Sequence, residues 1–167
     1  MKRGRRKRVG HRRGVKRSAI RRRSVVVSKE PAITITRKAV ATQKLVYLAV
    51  ANKSHRYPQS GERSRIFYIG TTKAGARRIA ESAATQANKF LGNYGIRELQ
   101  FYVVSCTPLQ RVRTWTKLER ALLLAFRQRY GEVPVGNTQG KHIKIIDEAR
   151  YFNIDGLVKK LKNFESH

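Results

Sequence analysis

Ile66-Phe67-Tyr68-Ile69-Gly70-Thr71-Thr72-Lys73, followed after three residues by Arg77-Arg78, is the stretch on which the reading of this chain turns. A short apolar run ending in glycine reads as a strand that closes on a turn. The alanine- and arginine-rich segment beyond it reads as the first turn of a helix. Tyr68 then stands at the strand's end, two residues before the glycine, and Arg78 lies ten residues later on the helix that packs back. Aromatic-apolar-glycine tripeptides end many strands, so these residues point to chemistry only through partners elsewhere in the chain.

Upstream, residues 44–50 form a strand that is apolar on both faces, with Leu45, Tyr47 and Ala49 on one side and Val46, Leu48 and Val50 on the other. A polar loop over residues 51–65 carries Lys53, His55, Arg56, Pro58, Gly61, Arg63 and Arg65 before the Ile66 strand begins. Consecutive strands joined by one loop pair antiparallel most simply. In one register Tyr47 and Tyr68 share a face, and each supplies the partner that a buried phenol needs.

Downstream, a helix from about Gly75 to Leu91 places Ile79, Ala83, Ala87, Phe90 and Leu91 in a core stripe. Arg78 lies near its N-terminus, where backbone amides favour an anion; an ion pair with Glu81 or Glu98 is the other reading. Gly92-Asn93-Tyr94-Gly95 ends that helix. Residues 98–106 alternate as a third strand, with Leu99, Phe101 and Val103 opposite Tyr102 and Val104.

The next helix, about residues 115–130, is apolar over most of its surface: Trp115, Leu118, Leu122 and Ala125 make one stripe, widened by Leu123, Leu124 and Phe126. Glu119 sits among Trp115, Leu122 and Leu123. A carboxylate there is costly unless a cation meets it, either an arginine or a metal ion. Gly131 caps the helix, and Val133-Pro134-Val135-Gly136-Asn137 returns to the domain. Residues 142–167 add Ile143, Ile145, Ile146, Ile154, Leu157, Val158 and Leu161, a final amphipathic helix. Asp147 and Glu148 read as helix-start charges.

Taken together, these residues resemble the GIY-YIG endonuclease family. Tyr68-Ile69-Gly70 matches its second motif, with Arg78 at the spacing of its arginine. Tyr47 matches the tyrosine that ends its first motif, with Leu45-Val46 standing where the family has glycine-isoleucine. Glu119 matches the glutamate of the helix after the third strand, and Asn137 the asparagine of the following loop. The resemblance implies that Glu119 holds one Mg²⁺ or Mn²⁺ and that Arg78 binds the transition-state phosphate. It implies also that Tyr47 accepts a proton from the attacking water with Tyr68 in support, or the reverse, and that Asn137 orients substrate or a neighbouring side chain. A free tyrosine has a pKa of about 10, so a tyrosine base needs nearby positive charge, from Lys53, His55 or the metal.

The expected fold is α+β: a small, mainly antiparallel three-stranded sheet flanked by helices, with a disordered basic N-terminal arm. Residues 1–23 are the basic tail, 24–43 an extended arm with strand-like Val25-Val26-Val27 and Ile33-Thr34-Ile35-Thr36, 44–140 the nuclease-like domain and 141–167 a helical extension. The tail holds thirteen Lys or Arg and no acid, so it cannot bury enough apolar surface to order itself. Arg5, Arg6, Lys7, Arg8, Arg12, Arg13, Arg21, Arg22 and Arg23 are suited to phosphates, as are Lys53, Arg56, Lys73 and Arg77 in the domain. The whole chain has 38 Lys and Arg against 10 Asp and Glu, a net charge of +28. Such an imbalance calls for a polyanionic partner, and nucleic acid is the economical one, DNA ahead of RNA.

One cysteine, Cys106, excludes an internal disulfide and a cysteine zinc cluster. No apolar run is long enough to span a bilayer. The arm suits a nuclear protein or a virion or nucleoprotein component, with a mitochondrial presequence as the alternative. The expected activity is metal-dependent cleavage of DNA. The alternative is a non-catalytic packaging or ribonucleoprotein component on the same fold.

Overall fold

Strand β1 (Leu45–Arg56) is the middle strand of three, and its first seven side chains are all buried. Strand β2 (Arg63–Thr72) pairs with one of its edges and β3 (Leu99–Val104) with the other, both antiparallel. Among the described residues three helices flank this sheet: α1 (Ala76–Phe90), α2 (Thr114–Tyr130) and α3 (Ile154–Lys162). This computed structural model describes residues 43–138 and 148–164. The basic tail, nearly all of the 24–43 arm and Ile143, Ile145, Ile146 and Asp147 lie outside the described residues. The architecture is the α+β one expected, a three-stranded antiparallel sheet with helices around it.

A continuously apolar central strand needs cover on both sides. Val46, Leu48 and Val50, with Ile66 and Ile69 of β2, pack against Leu118, Leu122, Ala125 and Phe126 of α2 and against Leu157 and Leu161 of α3. On the opposite face Ala51 and Phe67 meet Phe90 of α1 and Ile96. Phe67 reaches that second cluster because the β1–β2 register shifts between Ala49, which faces Tyr68, and Val50, which faces Ile66. The extra residue on β2 is a bulge.

Three local expectations are corrected. Residues 51–65 are not a loop: β1 runs on to Arg56, and a tight turn closed by Tyr57 N–H donating to the Glu62 carbonyl (2.8 Å) leads into β2. The anchor of this longer hairpin is Tyr57, whose buried ring lies 5.2 Å from that of Phe126 and 5.3 Å from that of Tyr130. Its hydroxyl donates to the Ile66 carbonyl and accepts from Val135 N–H. Second, α1 buries Ser82, Gln86 and Phe90, whereas Ile79, Ala83 and Ala87 are only half covered. The buried face of α1 is the one that carries Ser82, Gln86 and Phe90, so its apolar stripe is rotated away from the deepest contact.

Third, Glu148 is not a helix-start charge. Helix α3 is capped by Asn153, whose Oδ1 accepts from Gly156 N–H at 3.1 Å, and Asp155 is the acid of its first turn. Glu148 is fully buried, with Oε1 2.8 Å from Arg120 Nε and 3.7 Å from Lys117 Nζ. The angles are not those of hydrogen bonds, so charge holds the carboxylate.

Arg120 and Lys117 retain 42% and 26% side-chain exposure while Glu148 has none. Removing the two ends of this pair therefore has unequal effects. Arg120→Met strands a buried carboxylate and lowers unfolding stability by about 3 kcal/mol. Glu148→Gln leaves two cations that water can reach, and costs less than half as much. Urea denaturation of both variants reads the difference; equal losses exclude a buried ion pair here.

Candidate functional site

The β1–β2 register places Tyr47 opposite Gly70 and Ala49 opposite Tyr68. The two tyrosines are thus diagonal neighbours on one face, with ring centroids 6.0 Å apart and planes inclined at 42°. Gly70 makes this possible. A Cβ there would stand 2.5 Å from Tyr68 Cε1 and 2.8 Å from both Cζ and the hydroxyl oxygen of Tyr47. The glycine of the Tyr-Ile-Gly tripeptide is required by space. From β3, Phe101 closes the other flank of Tyr47 at 6.3 Å, leaving Tyr47 buried and Tyr68 half-buried.

The surroundings of the Tyr68 hydroxyl favour its protonated form. Burial, then Tyr47 through charge and a hydrogen bond, then Glu119 push the Tyr68 hydroxyl up to about 12, while the Arg78 cation pulls the other way. Tyr68 therefore holds its proton throughout the neutral range. Sequence reasoning looked to Lys53 or His55 for positive charge near these phenols. Lys53 lies six residues along β1 from Tyr47, about 20 Å at strand rise, and His55 lies farther still, against Tyr57, Phe67 and Tyr94. The cation whose field reaches both tyrosines is Arg78.

Arg78 stands on the exposed side of α1's first turn, where its Nη1 donates to Glu81 Oε2 at 2.8 Å. That first turn contains no acid, and Gly75 at its N-cap makes no side-chain capping bond. Lys73, just before α1, and Arg77, in its first turn, are exposed, so this end of the sheet gathers Lys73, Arg77 and Arg78. Lys53 and Arg56 belong to the far end of the hairpin. One cation that sequence reasoning passed over is Lys44. Its Nζ lies 5.4 Å from the centre of the Trp115 ring, one helical turn before Glu119.

Glu119 is half-buried on α2, and burial alone pushes its carboxyl up to about 7. The neighbouring helix cations, Lys117 and Arg120, are directed to Glu148. Among the described residues none pairs with Glu119. Its field nonetheless reaches Tyr68, so Tyr47, Tyr68, Arg78 and Glu119 form one constellation drawn from β1, β2, α1 and α2.

Asn137 has a different place. Its Oδ1 accepts from Ile69 N–H at 2.9 Å and its Nδ2 donates to the Ile69 carbonyl at 2.7 Å. The amide thus acts as one more strand residue on the free edge of β2, between Tyr68 and Gly70. Gly136 N–H adds a bond to the Phe67 carbonyl at 2.8 Å. A Cβ on Gly136 would stand 2.6 Å from that same oxygen, which explains the Gly-Asn pair. Asn137→Ala leaves both backbone groups of Ile69 unpaired and is expected to lower stability by about 1–3 kcal/mol. Asn137→Asp, which sets a carboxylate oxygen in place of the donor against the Ile69 carbonyl, loses at least as much. Thermal unfolding of the two variants orders them; a cost-free alanine would remove the clamp.

Among the described residues no three acidic, histidine or cysteine side chains converge to cage a metal ion. The donor set nonetheless suits Mg²⁺ or Mn²⁺. Such ions keep several waters and take one or two carboxylates, with substrate phosphate completing the shell. Glu119 is a half-buried carboxylate with no counter-charge among the described residues. Comparison with protein-family models, with curated proteins and with solved structures finds no match to this chain.

Proposed function

We propose that this protein is a divalent-metal-dependent endonuclease of the GIY-YIG type that hydrolyses phosphodiester bonds in DNA. The observation that carries the reading is the constellation around Gly70. Two phenols share a space opened by a missing Cβ, within the fields of one arginine and one carboxylate that has no partner among the described residues. Core packing needs neither an exposed arginine beside two phenols nor a half-buried glutamate without a counter-charge among the described residues.

Each residue has a defined task in hydrolysis. Tyr47, acting as the phenolate, takes the proton of the attacking water and becomes the neutral phenol, and Tyr68, which keeps its own proton, donates a hydrogen bond to the Tyr47 oxygen while it is charged. Arg78 exchanges Glu81 for the scissile phosphate; the exposed Arg78–Glu81 pair costs little to break. Glu119 would hold Mg²⁺ or Mn²⁺. When bound, that ion supplies positive charge against the phosphate and the leaving oxygen. Asn137 keeps the strand that carries Tyr68 in register. The +28 net charge supplies the attraction to a polyanion, with Lys73 and Arg77 beside the reacting phosphate. Among the described residues no helix is long and apolar enough to cross a membrane.

The competing reading is a non-catalytic nucleic-acid packaging or ribonucleoprotein component. Its supporting observation is that Arg78 is engaged by Glu81. Incubation of the purified protein with supercoiled plasmid separates the two. Nicked and linear products are expected with Mg²⁺ or Mn²⁺ and none with EDTA. Tight binding without cutting, across metals and DNA structures, selects the packaging role.

A further inference from the structure

We infer that the turn after α1 is a seat for an unpaired nucleobase of DNA, with the Tyr94 ring as its stacking face. Tyr94 is 60% exposed and has a φ of 54°, a left-handed conformation that is uncommon for a residue of this size. Gly92 at 81° and Gly95 at 67° bracket it. The turn is tied down by Gly92 N–H to the Ile96 carbonyl (3.0 Å), Asn93 N–H to the Phe90 carbonyl (3.0 Å) and Ile96 N–H to the Asn93 carbonyl (2.9 Å). Asn93 Nδ2 adds a bond to the Lys89 carbonyl at 2.9 Å. Glycine or asparagine would hold the same backbone with less strain. Here the strain keeps a large ring in water, the kind of outlier that points to a binding role.

The ring is positioned. His55 meets it edge-on at 5.7 Å and 81°, and Phe67 supports it at 6.3 Å. Beside it Lys89, Phe90, Asn93 and Val135 complete a cavity of about 410 Å³. Lys89 lines the cavity, and further cations belong to the same turn. Lys53 Nζ is 3.0 Å from the point where a Gly95 side chain would begin, and Lys89 and Arg97 are exposed alongside. The nearest acid in sequence, Glu98, is engaged by Gln100 Nε2. A held aromatic face rimmed by lysine and arginine is the chemistry that binds single-stranded DNA, the base stacking while the cations take its phosphates. Bases inside a duplex are stacked on one another and offer no such face.

The seat lies at the opposite end of α1 from Arg78, about 20 Å away at 1.5 Å per residue. It rests on the nucleic-acid part of the proposed function and not on cleavage, so binding is measured in EDTA. The probes are a labelled blunt duplex and the same duplex bearing a short single-stranded overhang with 2-aminopurine. The proteins are the wild type, Tyr94→Phe and Tyr94→Asn, asparagine being tolerant of the left-handed backbone. The wild type and Tyr94→Phe should prefer the overhang and quench 2-aminopurine. In Tyr94→Asn the overhang-to-duplex affinity ratio should fall by about 5- to 100-fold, the scale of one lost stack, and quenching should disappear.

An unchanged ratio in Tyr94→Asn overturns the seat, whether or not the protein cuts plasmid. So does wild-type protein that leaves 2-aminopurine unquenched, a test that needs no variant. A ratio that changes only with an RNA overhang overturns the assignment to DNA. Failure of the wild type to bind either probe removes the nucleic-acid reading as well.

Discussion

Glu119→Ala is expected to leave plasmid uncut at any concentration of Mg²⁺ or Mn²⁺ while still binding it, because the variant removes one carboxylate and none of the basic surface. Gel-shift and cleavage assays on the same preparation test this. Cleavage by the alanine variant at the wild-type rate would remove Glu119 from the site.

The unusual ionisation of this residue adds a second handle. Burial pushes Glu119 from its ordinary 4.5 to about 7, so proton and metal compete for it near neutrality. Below pH 7 the metal concentration needed for half-maximal cleavage should rise about tenfold per pH unit, and above pH 8 it should level off. The same shift has a sign in stability. The raised pKa means that the folded state holds the proton more tightly than the unfolded chain. The resulting stabilisation is fully present below about pH 4.5 and is lost as pH rises through about 7. Glu119→Gln should therefore melt higher than wild type at pH 8, by about 1–2 kcal/mol once solvent screening of a half-buried group is allowed for. At pH 4 it should melt with it. Differential scanning calorimetry at the two pH values decides; an equal gain at both would mean that Glu119 is not desolvated.

The second large effect belongs to the tyrosine pair. Tyr47→Phe keeps the ring that packs between Tyr68 and Phe101 and removes only the hydroxyl. Stability should change by about 1 kcal/mol, the net worth of an ordinary hydrogen bond. Cleavage should fall by about 10²- to 10⁴-fold, the scale of a lost general base. Tyr68→Phe should lose less, and by the same factor at every pH. With its hydroxyl pushed up to about 12, Tyr68 is the hydrogen-bond donor of the pair in the proposed mechanism. Single-turnover rates at saturating metal keep the Glu119 titration out of this comparison. A larger loss for Tyr68→Phe would reverse the two roles. Two variants that both cut at the wild-type rate would make the phenols packing residues and end the mechanistic reading.

The chain's own order of residues determined a good deal of this. Continuous apolarity from Leu45 to Ala51 demanded a strand covered on both faces. Alternation set β3, helical spacing set α2, and Gly131 ended that helix with the φ of 81° that a left-handed cap requires. Glu119 stood out because local spacing alone surrounds it with apolar neighbours. These are short-range signals, set by chain geometry within a turn or a strand.

What the sequence could not decide were the contacts that depend on how elements meet. Whether Tyr47 faces Tyr68 depends on strand register, and a slip of one residue would have put them on opposite faces. The bulge that turns Phe67 to the α1 side has no local signature. Asn137 reads as a loop amide until the edge of β2 lies beside it, 68 residues away in the chain. Glu148 resembles a surface acid until α2 brings Arg120 to 2.8 Å from it. The buried face of α1 was misread for the same reason. Periodicity shows which residues share a face, but only the packing of the whole domain selects the face that is buried.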